Sequence, residues 1–113
     1  MHEVGITRNL VEIAEDHARR AGSNRVLSVS VDIGELSGVV AEAVEFCFSA
    51  VTQDTLLEGA TLLINRIPGK MTCEECRHVF AADNLTFSCP ACDSFLVQTT
   101  QGNELRMTEL EVE

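Results

Sequence analysis

Four of the five cysteines of this 113-residue chain fall within twenty residues, as Cys73-Glu74-Glu75-Cys76, twelve intervening residues, and Cys89-Pro90-Ala91-Cys92. Each C-x-x-C can present two sulfurs from one tight turn. Two such turns facing each other across a short loop can offer four thiolates in a tetrahedron, the arrangement that suits Zn²⁺. The intervening loop is a little short for a ribbon but leaves room for a hairpin. A disulfide pair, a redox C-x-x-C and an iron site compete with this reading, and tetrathiolate sulfur suits iron as well as zinc. A unit of about thirty residues cannot bury enough apolar surface to hold itself together, so a bound metal is expected to supply much of its folding energy.

Composition narrows the function. Apolar residues make up 45 % of the chain, so a core can form and disorder is not expected. There is no Trp or Tyr and there are only five Phe, which argues against a stacking platform for single-stranded nucleic acid. The formal net charge of −10 would repel phosphate, and residues 1–69, 70–98 and 99–113 carry −5, −2 and −3, so no part is basic. The expected partners are proteins with basic patches, or cations, with no nucleic acid and no membrane. No apolar run approaches a membrane span, and Met1-His2-Glu3 opens the sequence without a basic region or an apolar signal core. A cytoplasmic location is therefore expected, where reducing conditions favour thiolate ligation over disulfides.

Around the cysteines the pattern predicts an α+β chain. Ile6, Leu10, Ile13, Ala14, His17 and Ala21 fall at helical spacing, with Thr7 as a cap or a start nearer Val4, and Gly22 as the stop. Leu27, Val29, Val31 and Ile33 alternate with Ser28, Ser30 and Asp32 in a strand. After the turn Gly34-Glu35-Leu36-Ser37-Gly38, residues 39–52 form a second helix with Val40, Ala41, Val44, Cys47, Phe48 and Val51 on its apolar stripe. Residues 53–59 read as a polar connection, and residues 60–67 as a strand that Pro68-Gly69 breaks. Residues 104–113 read as a closing strand whose inward parity shifts between Met107 and Leu110, as a bulge near Thr108 would explain. If that strand joins the earlier sheet, residues 70–98 are a metal module inserted into a domain of residues 1–69 plus 99–113. A closing strand of this kind can exchange between chains, so a monomer or a domain-swapped dimer is expected.

A second place for chemistry is Met1-His2-Glu3. A free α-amine, the next amide nitrogen and the imidazole of His2 can close two small adjacent chelate rings. Nickel(II) accepts square-planar nitrogen donors and can drive deprotonation of backbone amides. Glu3 could complete four donors with its amide nitrogen, or orient the site with its carboxylate. His2 must be neutral to bind, so affinity should fall as the pH drops towards about 6.

Cys47 reads as a core thiol, and His17 as a satisfied structural histidine. His78 reads as a turn or supporting residue, and Glu74, Glu75, Glu109, Glu111 and Glu113 as solvated acids. No Ser/His/Asp set and no phosphate-cradling Gly loop is present, so the chain is not expected to be an enzyme.

The opening Met1-His2-Glu3, a helix ending near Gly22, the strand ending Ile33-Gly34-Glu35-Leu36-Ser37, the paired C-x-x-C motifs and the ending Glu109-Leu110-Glu111-Val112-Glu113 occur together and in order. Over its whole length the chain resembles the nickel metallochaperones of [NiFe]-hydrogenase maturation, the HypA/HybF family. The resemblance implies a nickel domain of two helices on a small antiparallel sheet, with a zinc-ribbon-like β module set into it. It implies nickel held by nitrogens of Met1, His2 and Glu3, and structural zinc held by Cys73, Cys76, Cys89 and Cys92. It also implies delivery of Ni²⁺ to the hydrogenase large subunit, and in some organisms to urease, together with a HypB-like GTPase or a related ATPase. Some relatives carry histidines beside the zinc cysteines. Here only His78 is close, and residues 88 and 93 are Ser88 and Asp93, so a histidine-switched zinc site is not expected. Gln98 stands where some relatives offer another nitrogen. A zinc-ribbon adaptor that binds a protein and carries no nickel is the competing function, and a thiol oxidoreductase is the third.

Overall fold

The computed structural model describes residues 3–113. In chain order the elements are α1 (Glu3–Arg20), β1 (Val26–Gly34), α2 (Ala41–Val51), β2 (Thr61–Ile67), β3 (Lys70–Cys73), β4 (Val79–Ala81), β5 (Val97–Gln101) and β6 (Leu105–Val112). They form two three-stranded sheets, ordered β2-β1-β6 and β4-β3-β5. The fold is α+β, as the sequence pattern predicts. The chain divides into two compact units. One comprises the residues up to Val31, Val40–Asn65 and Arg106–Glu113; the other comprises Asp32–Val39 and Arg66–Leu105.

In the first unit, α1 begins at Glu3, so Thr7 is interior and not a cap. The Thr7 hydroxyl donates back to the Glu3 carbonyl at 2.6 Å, which lets a polar side chain sit buried inside the helix. The helix ends in a Schellman motif: Ser23 N–H donates to the Ala18 carbonyl at 2.9 Å and Gly22 N–H to that of Arg19 at 3.0 Å. Gly22 holds the φ of +76° that this ending needs.

The buried face of α1 is one residue around from the expected stripe. Glu3, Thr7, Val11, Ala14 and Ala18 are buried, whereas Ile13 is 46 % exposed and His17 and Ala21 are exposed. The small side chains of Ala14 and Ala18 sit fully covered on this face, and α1 packs on α2. On α2 the buried residues are Ala41, Val44 and Phe48; Val40 is exposed and Cys47 half-buried.

Two further expectations need correction. Leu27 is 38 % exposed, and Val26 takes its place in the core with Val29 and Val31. The connection after α2 is not simply polar: Leu57 is 1 % exposed and Thr52 2 %. The Thr52 hydroxyl donates to the Phe48 carbonyl at 2.8 Å, which satisfies it inside. In β6 the half-buried residues are Met107, Leu110 and Val112, so the parity shift read from the sequence is present in burial.

In the second unit, the turn after β1 is tied down by main-chain bonds. Gly34 N–H donates to the Glu104 carbonyl at 2.7 Å, Leu36 N–H to that of Gly102 at 2.7 Å, and Glu35 N–H to that of Ile67 at 2.9 Å. A Cβ on Gly34 would lie 1.9 Å from the Gly102 carbonyl oxygen, so only glycine fits there. Strand β3 is central and pairs antiparallel with β4 and with β5.

Candidate metal centre

The two C-x-x-C segments fold into matching turns. At the end of β3, Cys73 N–H donates to the His78 carbonyl at 2.9 Å and Arg77 N–H to the Cys73 carbonyl at 3.0 Å. In the second turn, Cys89 N–H donates to the Ser94 carbonyl at 2.8 Å and Asp93 N–H to the Cys89 carbonyl at 2.8 Å. The offsets are the same in both. The residue after each second cysteine is left-handed, Arg77 at φ 65° and Asp93 at φ 62°, which is uncommon without glycine. Amides point at the first sulfur of each turn: Cys76 N–H reaches Cys73 Sγ at 3.5 Å, and Ala91 N–H reaches Cys89 Sγ at 3.4 Å.

These turns bring Cys73, Cys76, Cys89 and Cys92 together, with ligand atoms all within 4.8 Å of one another. Sulfurs from opposite turns stand 3.6 Å apart in the pairs Cys73–Cys92 and Cys76–Cys89. A tetrahedron with metal–sulfur bonds of about 2.3 Å has edges of about 3.8 Å, so the cluster is close to the size a bound zinc ion requires. Cys73 and Cys89 are fully buried, while Cys76 and Cys92 lie on the exposed side.

Electrostatics separate the Cys73 thiol from those of Cys76 and Cys92. Amide N–H donation, led by Cys76, lowers the Cys73 thiol to about 7 despite its burial. Cys92 also accepts an amide hydrogen bond, from Ser94, but burial and the three neighbouring sulfurs outweigh it and push the thiol up to about 12. Cys76 follows the same pattern: a hydrogen bond from His78 is outweighed, and its thiol is raised. One thiolate forms readily, and further negative charge in the cluster calls for a cation.

The remaining candidates are not part of the four-sulfur cluster. The His78 ring stacks on Phe80 with centroids 5.8 Å apart, and its carbonyl serves the first turn. Gln98, in β5, is exposed and pairs with Thr72 of β3. Glu74 and Glu75 are exposed, as are Ser88's neighbour Phe87 and Asp93. Met1 and His2 of the N-terminal triplet lie outside the described residues, while Glu3 is buried at the start of α1 and its Oε2 accepts the Val40 N–H at 3.3 Å. Sequence reading missed the left-handed Arg77 and Asp93. Their common position, directly after each C-x-x-C, was the available signal. It also missed the stacked pair Phe87 and Phe95, 6.1 Å apart and 70 % and 72 % exposed.

Residues 1–112 match the family model described as "Hydrogenase/urease nickel incorporation, metallochaperone, hypA". The chain belongs to the HypA family. It is 50 % identical to the hydrogenase maturation factor HypA of Geobacter metallireducens and 52 % identical to that of Geobacter sulfurreducens, in each case over all of both chains. The solution structure of the Ni metallochaperone HypA from Helicobacter pylori superposes with a TM-score of 0.68 at 31 % identity, covering 99 % of this chain and 97 % of that one. A further HypA solution structure gives a TM-score of 0.71, also at 31 % identity, over 100 % of this chain and 97 % of that one. HypA proteins are hydrogenase-maturation nickel metallochaperones, and a role in the maturation machinery follows from membership. Among the described residues, no helix is long and apolar enough to cross a membrane.

Proposed function

We propose that this chain carries Ni²⁺ to the [NiFe]-hydrogenase large subunit during maturation, with urease as a second candidate target. Nickel is held by the α-amine of Met1, the amide and imidazole nitrogens of His2 and the amide nitrogen of Glu3. The observation that carries the reading is the match of residues 1–112 to a nickel-incorporation family, in a sequence that opens Met1-His2-Glu3. Donors drawn from a chain end release their cargo more readily than a closed cage, as a carrier requires. We assign the nickel domain to residues 1–69 plus 99–113 and the zinc domain to residues 70–98; the compact units divide the chain differently, with 32–39, 66–69 and 99–105 in the cysteine-bearing unit.

Cys73, Cys76, Cys89 and Cys92 would hold a structural Zn²⁺. When bound, zinc cross-links the two turns and compensates the thiolate charge. The role is non-catalytic and cytoplasmic. A HypB-like GTPase or a related ATPase supplies any nucleotide hydrolysis.

One observation favours a second reading, a zinc-ribbon adaptor without nickel transfer. Leu85, Phe87, Phe95 and Leu96 are each more than half exposed on the metal-bearing unit, as a protein-binding surface would be. Nickel titration of zinc-loaded protein with an untagged N-terminus separates the two. The carrier reading expects one nickel with a square-planar absorption band, lost in His2→Ala while zinc stays. Equal binding by both proteins moves the site elsewhere, and binding by neither leaves the adaptor.

A further inference from the structure

Helix α2 starts without a cap of its own. Its N-cap residue is Val40, extended at φ −87° and ψ 109°, with no side-chain capping bond. Valine is a poor N-cap because its side chain has no acceptor. The residue three positions on is Ala43, so the acid that reaches back to the N-cap amide in a capping box is absent too.

Glu3 fills that place from another helix. Its Oε2 accepts the Val40 N–H at 3.3 Å across 37 positions of sequence. Glu3 is only 8 % exposed, and a carboxylate so placed is tolerable only with partners. The positive end of α2 adds to the attraction. Val40 is also the residue at which the chain re-enters the first compact unit after Val39.

We infer that Glu3 is a positioning residue whose carboxylate is committed to the start of α2 and does not bind nickel. By holding the start of α1 to Val40, it fixes the main chain at residue 3, whose amide nitrogen is one of the donors assigned to nickel. Recruiting the carboxylate to the metal would leave the Val40 N–H without its acceptor and α2 uncapped. The inference rests on the nickel reading above, but the capping contact can be measured without nickel.

The test compares full-length, zinc-loaded wild type with Glu3→Ala, Glu3→Gln and Val40→Pro, all with a native N-terminus. Proline removes the N–H and prefers an extended residue before it, and its fixed φ of about −65° is near the −87° of Val40. Nickel titration and hydrogen exchange of the Val40 amide are the readouts. Loss of a supporting contact weakens metal binding by about 10- to 100-fold, and that loss is expected in Glu3→Ala and Val40→Pro with zinc retained. Gln keeps an acceptor oxygen and is expected to recover most of the loss, and the Val40 amide should exchange faster in Glu3→Ala than in wild type. If Gln fails to rescue while Val40→Pro binds nickel normally, the carboxylate is a ligand and the inference falls. It falls as well if all variants bind like wild type. Should wild type bind no nickel, the carrier reading fails. Exchange at Val40 then still decides the cap, and an unchanged rate in Glu3→Ala overturns it.

Discussion

The two compact units bury different chemistry. The first buries Val11, Ala14, Ala18, Val26, Val29, Val31, Val44, Phe48 and Leu57, an aliphatic core drawn from helices, strand and connecting loop. The second gathers its buried cluster around Cys73, Phe80 and Cys89, with Met71 and Val97 packed against it, and leaves Val79, Leu85, Phe87, Phe95 and Leu96 outside. Apolar burial suffices for the first. In the second, the aromatic and aliphatic side chains that could have built a core are spent on the surface, and a metal held by the four cysteines would take over. A region free of the need to bury its large side chains can display them.

Metal removal breaks this comparison most sharply. Chelation, or Cys73→Ser, is expected to cost the second unit on the order of ten kcal/mol and to abolish amide protection in β3, β4 and β5, while α1 and α2 stay protected. Hydrogen exchange checks it, and protection of β3–β5 that survives chelation would refute metal dependence. The same site should respond to pH. The Cys92 and Cys76 thiols are raised and so protonated near neutrality in the metal-free cluster, and zinc must displace those protons. Affinity should therefore rise with pH and fall on acidification. Calorimetry in buffers of different ionisation enthalpy reads the released protons directly, and no buffer dependence would contradict the assignment.

The converse experiment addresses the aliphatic unit. Leu57→Ala removes a fully buried side chain and is expected to cost about 2–5 kcal/mol in urea unfolding. Zinc stoichiometry should not change; loss of zinc in this variant would mean the two units fold as one. The smallest effect is expected at Arg25→Ala. The Arg25 Nε stands 3.9 Å from Glu113, and both side chains are more than half exposed. Such a pair contributes less than about 1 kcal/mol, and the main-chain bond from Glu113 N–H to the Arg25 carbonyl at 3.1 Å survives the change. A larger shift in the melting midpoint would show that the end of β6 depends on that side chain.

The four-sulfur cluster was legible because ligand chemistry writes itself into residue type and spacing: cysteines three apart can share one turn. The strands and helices were legible in outline for a similar reason, since local periodicity records which side faces inward. The exceptions are informative. Ile13 looked buried and is exposed, while Thr7 and Ala18 are covered. Leu57 lay in an apparently polar loop and is in the core.

By itself, then, the sequence determined the α+β class, the four-sulfur set and the family to which the chain belongs. Tertiary structure alone decided which face of α1 turns inward, because the neighbouring helix that covers it lies far away in sequence and the stripes one residue apart are both partly apolar. It alone paired Glu3 with Val40, because a capping partner 37 residues away leaves no local pattern. It also placed Phe87 against Phe95 on the surface, since hydropathy records how much a side chain prefers burial and not whether the fold has room for it.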